Sequence, residues 1–299
     1  LISDCQFSFP IFDGHMHFSQ AYLDEAMASY GECGVIGGVN LWGSASAQYN
    51  FVYHGDYAEF LKICRDKGLL FRFAQFYWPD WMEFGRDPKG FVSRVCDDLR
   101  RYAELGASGL KVWKDIGMFA RMPDGTPATV DDERLEPVWQ MVAELGLWIS
   151  AHLADPDKSF ESATTGVTKQ QIYAARDRWL SSHKDIRCII CHSGNHATPE
   201  EFDRLLGSFP NLRVDLRDTL ASGDRQTNCR LLEKYADRLY IGADMGMPEN
   251  KPADRPWNIE YYRSWRRILA GLGLRPETLE KIAWRNGVGD FLGPTPAAV

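Results

Sequence analysis

Eight short apolar or β-branched runs recur along the chain, near residues 9–14, 34–42, 69–77, 109–114, 147–152, 187–192, 211–216 and 238–243. Between them the apolar residues take helical spacing. Ala58, Leu61, Ile63 and Cys64 mark one such segment, and Phe91, Val95, Leu99 and Tyr102 another. Val138, Met141, Val142 and Leu145 follow, then Phe202, Leu205 and Leu206, then Leu231, Leu232 and Tyr235. Strands that alternate with helices pair in parallel through crossovers. Gly68, Gly106 and Gly146 close helical segments, at the place where a left-handed residue ends a helix. Eight such units in 299 residues fit a (β/α)8 TIM barrel, a single α/β domain, better than an open sheet. A doubly wound sheet usually carries a glycine-rich phosphate turn after its first strand. Here that place holds Asp13-Gly14-His15-Met16-His17. The barrel is expected over residues 1–293, with 294–299 a loose tail.

Charge narrows the partners. The net charge of −7, from 34 basic and 41 acidic residues without a basic run, argues against a nucleic-acid grip. No stretch approaches the roughly 20 apolar residues of a membrane span. The cysteines (Cys5, Cys33, Cys64, Cys96, Cys188, Cys191 and Cys229) are odd in number and scattered through apolar segments, which reads as reduced and buried. Cys188 and Cys191 form a C-x-x-C inside an apolar strand, where residues three apart face opposite ways; they read as core thiols, not a dithiol. These features fit a cytoplasmic protein. The first residue is Leu1, so the sequence leaves room for a removed leader. Aromatic residues from Trp257 to Trp265 suit either a homo-oligomer contact or a cover for the barrel floor.

Polar residues with metal affinity fall at strand ends. His15 and His17 end the first strand on one face, about 7 Å apart along it. His152 ends the fifth, His192 the sixth and Asp244 the eighth. Singly, each histidine reads first as a hydrogen-bonded structural residue. Together they would converge, because side chains at the C-terminal ends of barrel strands meet at one mouth. Imidazoles and a carboxylate make a ligand set for Zn²⁺ first and Mn²⁺ second. His54, His183 and His196 lie in expected helices or loops and carry no assigned role. Two long connections, from Leu153 to about Thr168 and from Met245 to Trp257, would overhang the same mouth.

This pattern resembles the amidohydrolase superfamily, in particular the amidohydrolase-2 branch that includes the relatives of aminocarboxymuconate-semialdehyde decarboxylase. The resemblance runs from Phe12 to the closing segment Trp284–Gly293, and Gly109-Leu110-Lys111-Val112-Trp113-Lys114-Asp115 resembles a hydrolase subgroup of that branch. It implies that His15, His17, His152 and Asp244 bind one divalent ion, with His192 beside it. Lys111 takes the strand-four place of the carboxylated lysine of binuclear members. Carboxylated, it would make His192 a ligand of a second ion; otherwise it is a neutral or ion-paired lysine lining the mouth.

The expected chemistry is hydrolysis of an amide, lactone or ester of a small molecule by metal-activated water. Asp244 would accept the proton, and His192 would hold the oxyanion or protonate the leaving group. Relatives with the same ligands decarboxylate instead and need a base to hold the substrate carboxylate. Arg72, Arg86 and Arg217 read as structural or surface ion pairs, which favours hydrolysis. Trp42, Trp78, Asp80 and Trp113 are the expected substrate contacts, although core packing and a turn explain some of them equally. A barrel that binds metal or ligand without turnover is a third reading, opposed by the full ligand set.

Overall fold

The computed structural model describes residues 9–43, 56–162, 166–217, 224–247 and 259–293. Strands β1 (Ile11–Phe18), β2 (Val35–Gly43), β3 (Phe73–Trp78), β4 (Ala107–Val112), β5 (Trp148–Ala151), β6 (Arg187–Ile190), β7 (Leu212–Leu216), β8 (Leu239–Ile241) and β9 (Met245–Met247) form one sheet. The order β2-β3-β4-β5-β6-β7-β8-β1-β9, with β1 also pairing β2, closes it into a barrel. All these pairings are parallel. β8 and β9 are two halves of one stave: Asp13 of β1 pairs with Ile241, and Met16 to Phe18 pair with Met245 to Met247. The eight staves and the helices between them make the (β/α)8 TIM barrel that the rhythm of the sequence predicts.

Helices cover the outside as their apolar faces require. Pro88–Leu105 shows why one begins and ends where it does: the Asp87 carboxylate accepts from the Gly90 amide at 3.0 Å, Pro88 opens the first turn, and Gly106 at φ +106° closes it. Gly68 and Gly146 are left-handed as well. One strand starts later than expected. Leu69–Phe71 form a 3-10 turn after Gly68, with Leu69 buried and Phe71 exposed, so the run near 69–77 becomes a strand only from Phe73.

Side chains inside the barrel stack in three layers. Phe12, Phe76, Trp148, Ile189 and Tyr240 fill the floor, a core separate from the larger one between barrel and helices. Strand alternation puts Lys111, Ser150, Cys191 and Asp215 one layer higher, all fully buried. The top layer holds the histidines and Asp244. On β1 this needs a correction of phase, since Phe12 and His15 have opposite parity yet both face inward. The ladder supplies it: Asp13 to Met16 advances three residues while its partners Gly38 to Asn40 advance two, a β-bulge. The Asp13 carboxylate stands in for ladder acceptors, taking the His15 amide at 2.9 Å and the Ala243 amide at 3.0 Å. Gly14 is required there, because a Cβ would lie 2.8 Å from Tyr240 Cβ.

All the cysteines among the described residues are free, and Cys191 turns inward while Cys188 joins the outer core, as alternation predicts. Among the described residues no helix is long and apolar enough to cross a membrane. Cys5, most of the expected Met245–Trp257 loop, Trp257 and the tail lie outside the described residues.

Candidate metal centre and active site

His15 and His17 project from β1 after the bulge, their rings 5.2 Å apart. Asp244 sits in the break between β8 and β9 at φ +50°, its amide held by the His15 carbonyl at 2.7 Å. That left-handed turn brings its Oδ1 within 3.2 Å of His15 Nε2 and 3.1 Å of His17 Nε2. The remaining ring nitrogens are fixed from behind: His15 Nδ1 lies 2.9 Å from Asp215 Oδ2, and His17 Nδ1 2.8 Å from the Leu41 carbonyl. A histidine whose far nitrogen donates to an oxygen keeps the near lone pair for a cation. His15, His17 and Asp244 thus form a group whose ligand atoms could hold one ion.

His152 and His192 lie close by. His192 stacks on His15 at 4.7 Å, and its Nε2 is 3.9 Å from Asp244 Oδ2. His152 meets His192 edge to face at 4.4 Å, but its Nε2 lies 3.2 Å from Asp155, and it groups with Asp155 and His196, not with His15 and His17. The expected ligands therefore gather at one mouth yet divide into two neighbouring sets. Lys111 joins neither: its Nζ donates to Cys191 Sγ at 3.1 Å and Ser150 Oγ at 3.5 Å, one layer below.

The segment after β6 explains how His192 and His196 meet. His192, Ser193, Gly194, Asn195 and His196 all have positive φ, a left-handed turn in place of a helix. Such backbone costs about 1–2 kcal/mol for each non-glycine residue. Asn195 fastens it, accepting from the Leu153 amide at 3.0 Å and donating to the Cys191 carbonyl at 2.9 Å and the Ala151 carbonyl at 3.2 Å. Asp215 holds its start, accepting from the His192 amide at 2.7 Å. Wound this way, His196 comes back over His192 with rings 5.4 Å apart.

Electrostatics suit cation binding. Burial pushes His152 and His192 well below the ordinary histidine range, helped by Lys114 at His152 and by His152 at His192, so both stay neutral. Burial also lowers His17. Burial alone would raise Asp244, but His15, itself held well above the ordinary histidine range by Cys191, Asp215 and Asp244 against its own burial, overcomes it and keeps the carboxyl well below its usual range. Among the described residues, buried His15 Nε2, His152 Nδ1 and both His192 ring nitrogens make no hydrogen bond, with Asp244 Oδ1 3.2 Å from His15 Nε2 and Asp215 Oδ1 3.7 Å from His192 Nδ1. Unpaired imidazole nitrogens beside an ionised carboxylate are the donor set that a divalent ion completes.

Of the expected substrate contacts, Trp78 stands 5.8 Å from the His17 ring and Trp113 4.7 Å from His152, and the two indoles are 4.6 Å apart. Trp42 packs instead against Tyr57 and Phe60, on the outer side of β2. Asp80 accepts from the Met82 amide at 3.0 Å, the turn role weighed from the sequence. Arg217, read as an ion pair, does pair, with Asp244 itself. Sequence reasoning missed Asp155, His196 and Asp215. The run His192-Ser193-Gly194-Asn195-His196 held the signal for His196, since Gly, Asn and His tolerate left-handed backbone.

The chain belongs to the amidohydrolase family: that family's amidohydrolase-2 sequence model matches residues 13–287. It is an enzyme of the amidohydrolase superfamily, and the resemblance read from its strand-end histidines holds. Solved structures share the fold at low identity. A 2,6-dihydroxybenzoate decarboxylase from Rhizobium is 15% identical at a TM-score of 0.61, over 95% of this chain and 98% of that one. A 5-carboxyvanillate decarboxylase from Novosphingobium aromaticivorans, complexed with manganese, is 11% identical at a TM-score of 0.61, over 96% and 97%. The dihydroorotase of Campylobacter jejuni is 13% identical at a TM-score of 0.56, over 97% and 85%. A search of curated protein sequences finds no match.

Proposed function

We propose that the protein is a metal-dependent hydrolase acting on an amide, lactone or ester of a small molecule. The observation that carries this reading is the setting of Asp244, whose Oδ1 touches the two β1 histidines while Oδ2 faces His192. His15, His17 and Asp244 would hold the ion, zinc first and manganese second, with His152 and His192 beside them. A bound divalent ion supplies Lewis acidity and water whose pKa falls from about 16 to near 7. Asp244 would take the proton of the attacking water. His192 carries it toward the leaving group or steadies the oxyanion. Trp78 and Trp113 form an apolar wall that orients the substrate and excludes bulk water.

Non-oxidative decarboxylation is the second reading, favoured by one observation. Arg217 stands at the mouth on Asp244 Oδ2, where a guanidinium could instead hold a substrate carboxylate. The similarity in fold to two aromatic-acid decarboxylases supports it as well. Metal-loaded protein assayed on lactones, esters, amides and carboxylated aromatics separates the two. Hydrolysis releases acid without carbon dioxide, and Asp244→Asn should lower it at least about a hundredfold. Carbon dioxide from a carboxylated aromatic, with no ester, lactone or amide cleaved, would establish the second reading and sink the first.

A further inference from the structure

We propose that Lys111 and Cys191 form a redox-modification site, at which hydrogen peroxide joins Lys111 Nζ to Cys191 Sγ in a reversible sulfenamide bond. The chemistry needs neither the metal nor the reaction proposed above. Its basis is a closed triangle of side chains in the layer beneath the histidines. Lys111 Nζ lies 3.1 Å from Cys191 Sγ and 3.5 Å from Ser150 Oγ, and Ser150 Oγ lies 3.2 Å from the sulfur. All three residues are fully buried. Neighbouring staves hold them in register: Lys111 of β4 pairs with Ser150 of β5, and Cys191 follows β6.

A second observation is the setting of the lysine. Among the described residues, the other buried lysines each meet a carboxylate, Lys114 at Asp155 and Lys169 at Asp157. Lys111 meets none. Besides the sulfur and the hydroxyl, its nitrogen finds only the Trp113 ring, 5.7 Å from the centroid. Burying a lysine without a carboxylate costs stability, and a nitrogen kept against a sulfur is explained if the two react. Strand alternation also removes the usual competitor. Cys188 joins the outer core, so a sulfenic acid at Cys191 meets an amine and not a second thiol.

The step balances with peroxide as the oxidant. Sulfur attacks one peroxide oxygen, the O–O bond breaks, and the released hydroxide leaves with the thiol proton as water. The lone pair of the Lys111 amine then attacks the sulfenic sulfur. The S–N bond forms, the S–O bond breaks, and the hydroxyl leaves with one amine hydrogen as a second water. Sulfur is oxidised by two electrons and peroxide is reduced to water. Ser150 Oγ, within reach of both atoms, stands where it can pass protons between them. Two molecules of a thiol reverse the bond, restoring thiol and amine as they become a disulfide. The route from the mouth is short, since ligand atoms of His15 and Asp215 lie within 4.8 Å of the sulfur.

The test is peptide mass spectrometry of full-length, chelator-treated protein exposed to hydrogen peroxide, with free thiols alkylated before digestion by trypsin. We expect Lys111 to resist cleavage and its peptide to join that of Cys191, at the summed mass less two hydrogens. Fragmentation should place the bond at Cys191 and not Cys188, and dithiothreitol should abolish the species. Cys191→Ser and Lys111→Arg should each lose it, with Lys111→Arg leaving Cys191 to oxidise onward to sulfinic acid. Cys191 that stays reduced while partly exposed Cys229 oxidises overturns the proposal. So does sulfinic acid at Cys191 of the unaltered protein without a cross-link. A bridge one oxygen heavier, or one that survives dithiothreitol, overturns the direct S–N bond. If neither variant folds, the fragment masses of the unaltered protein decide.

Discussion

At the floor of the barrel Phe291 stacks on Phe12 at 5.8 Å and lies 4.7 Å from Trp148, while Asp290 receives the Tyr240 hydroxyl and Arg213. At the mouth, four buried imidazole nitrogens make no hydrogen bond among the described residues, and six positions, His192–His196 and Asp244, are left-handed. One end pairs Tyr240, Arg213 and Asp290 with one another and buries aromatic area; the other holds imidazole nitrogens without hydrogen bonds and strained backbone. Well-packed cores stabilise, and sites that bind or react give up some of that stability. The contrast separates what holds this protein together from what it works with.

Substitutions should therefore split cleanly between the two ends. The largest effect is expected from Asp215→Ala, which removes the oxygen behind His15 Nδ1 and the acceptor for the His192 amide. Ion affinity should fall about 10- to 100-fold, measured by competition with a chromophoric chelator; unchanged affinity would show that Asp215 does not orient His15. Next is Phe291→Ala at the floor. It should cost about 2 kcal/mol in denaturant unfolding and leave kcat and ion affinity untouched. A loss of turnover at full metal loading would mean that the two ends are coupled.

The last prediction tests strain beside the mouth through the pH dependence of stability. Burial, with Asp80 adding to it, raises the Asp115 carboxyl to about 6 from its ordinary 3.8. The folded state thus favours the protonated form. Its contribution is full below about pH 4 and is lost as pH rises through 6. Asp115→Asn should remove that slope and stabilise the protein above pH 6 by about 1–3 kcal/mol. Parallel stability curves for the two proteins between pH 4 and 7 would contradict it.

The eight-stave barrel and the inward polar residues were legible because strand alternation and helix spacing are local signals. Gly106 and the strand-end positions of His15, His17 and His152 needed nothing more. What the sequence hid depends on conformations without a period. The left-handed turn that recruits His196 is one; the break in the eighth stave that swings Asp244 inward is another. Asp155 and Asp215 were hidden for a different reason: their importance lies in which nitrogen they hold, and pairing across strands 200 residues apart, as between His15 and Asp215, leaves no trace in spacing. Trp42 shows the reverse error. It ends a strand near the mouth, yet one residue of alternation sends its indole outward.

The extra residue in β1 works as a phase shifter. Below it, Phe12 must face the aromatic floor; above it, His15 and His17 must face the opening, and an uninterrupted ladder can satisfy only one of these demands. Loops around the rim can lengthen or shorten without touching that setting. Flattening the bulge with every residue kept would undo it: counted from Phe12, the imidazoles would turn into the helical jacket and Met16 would point at the cation pocket.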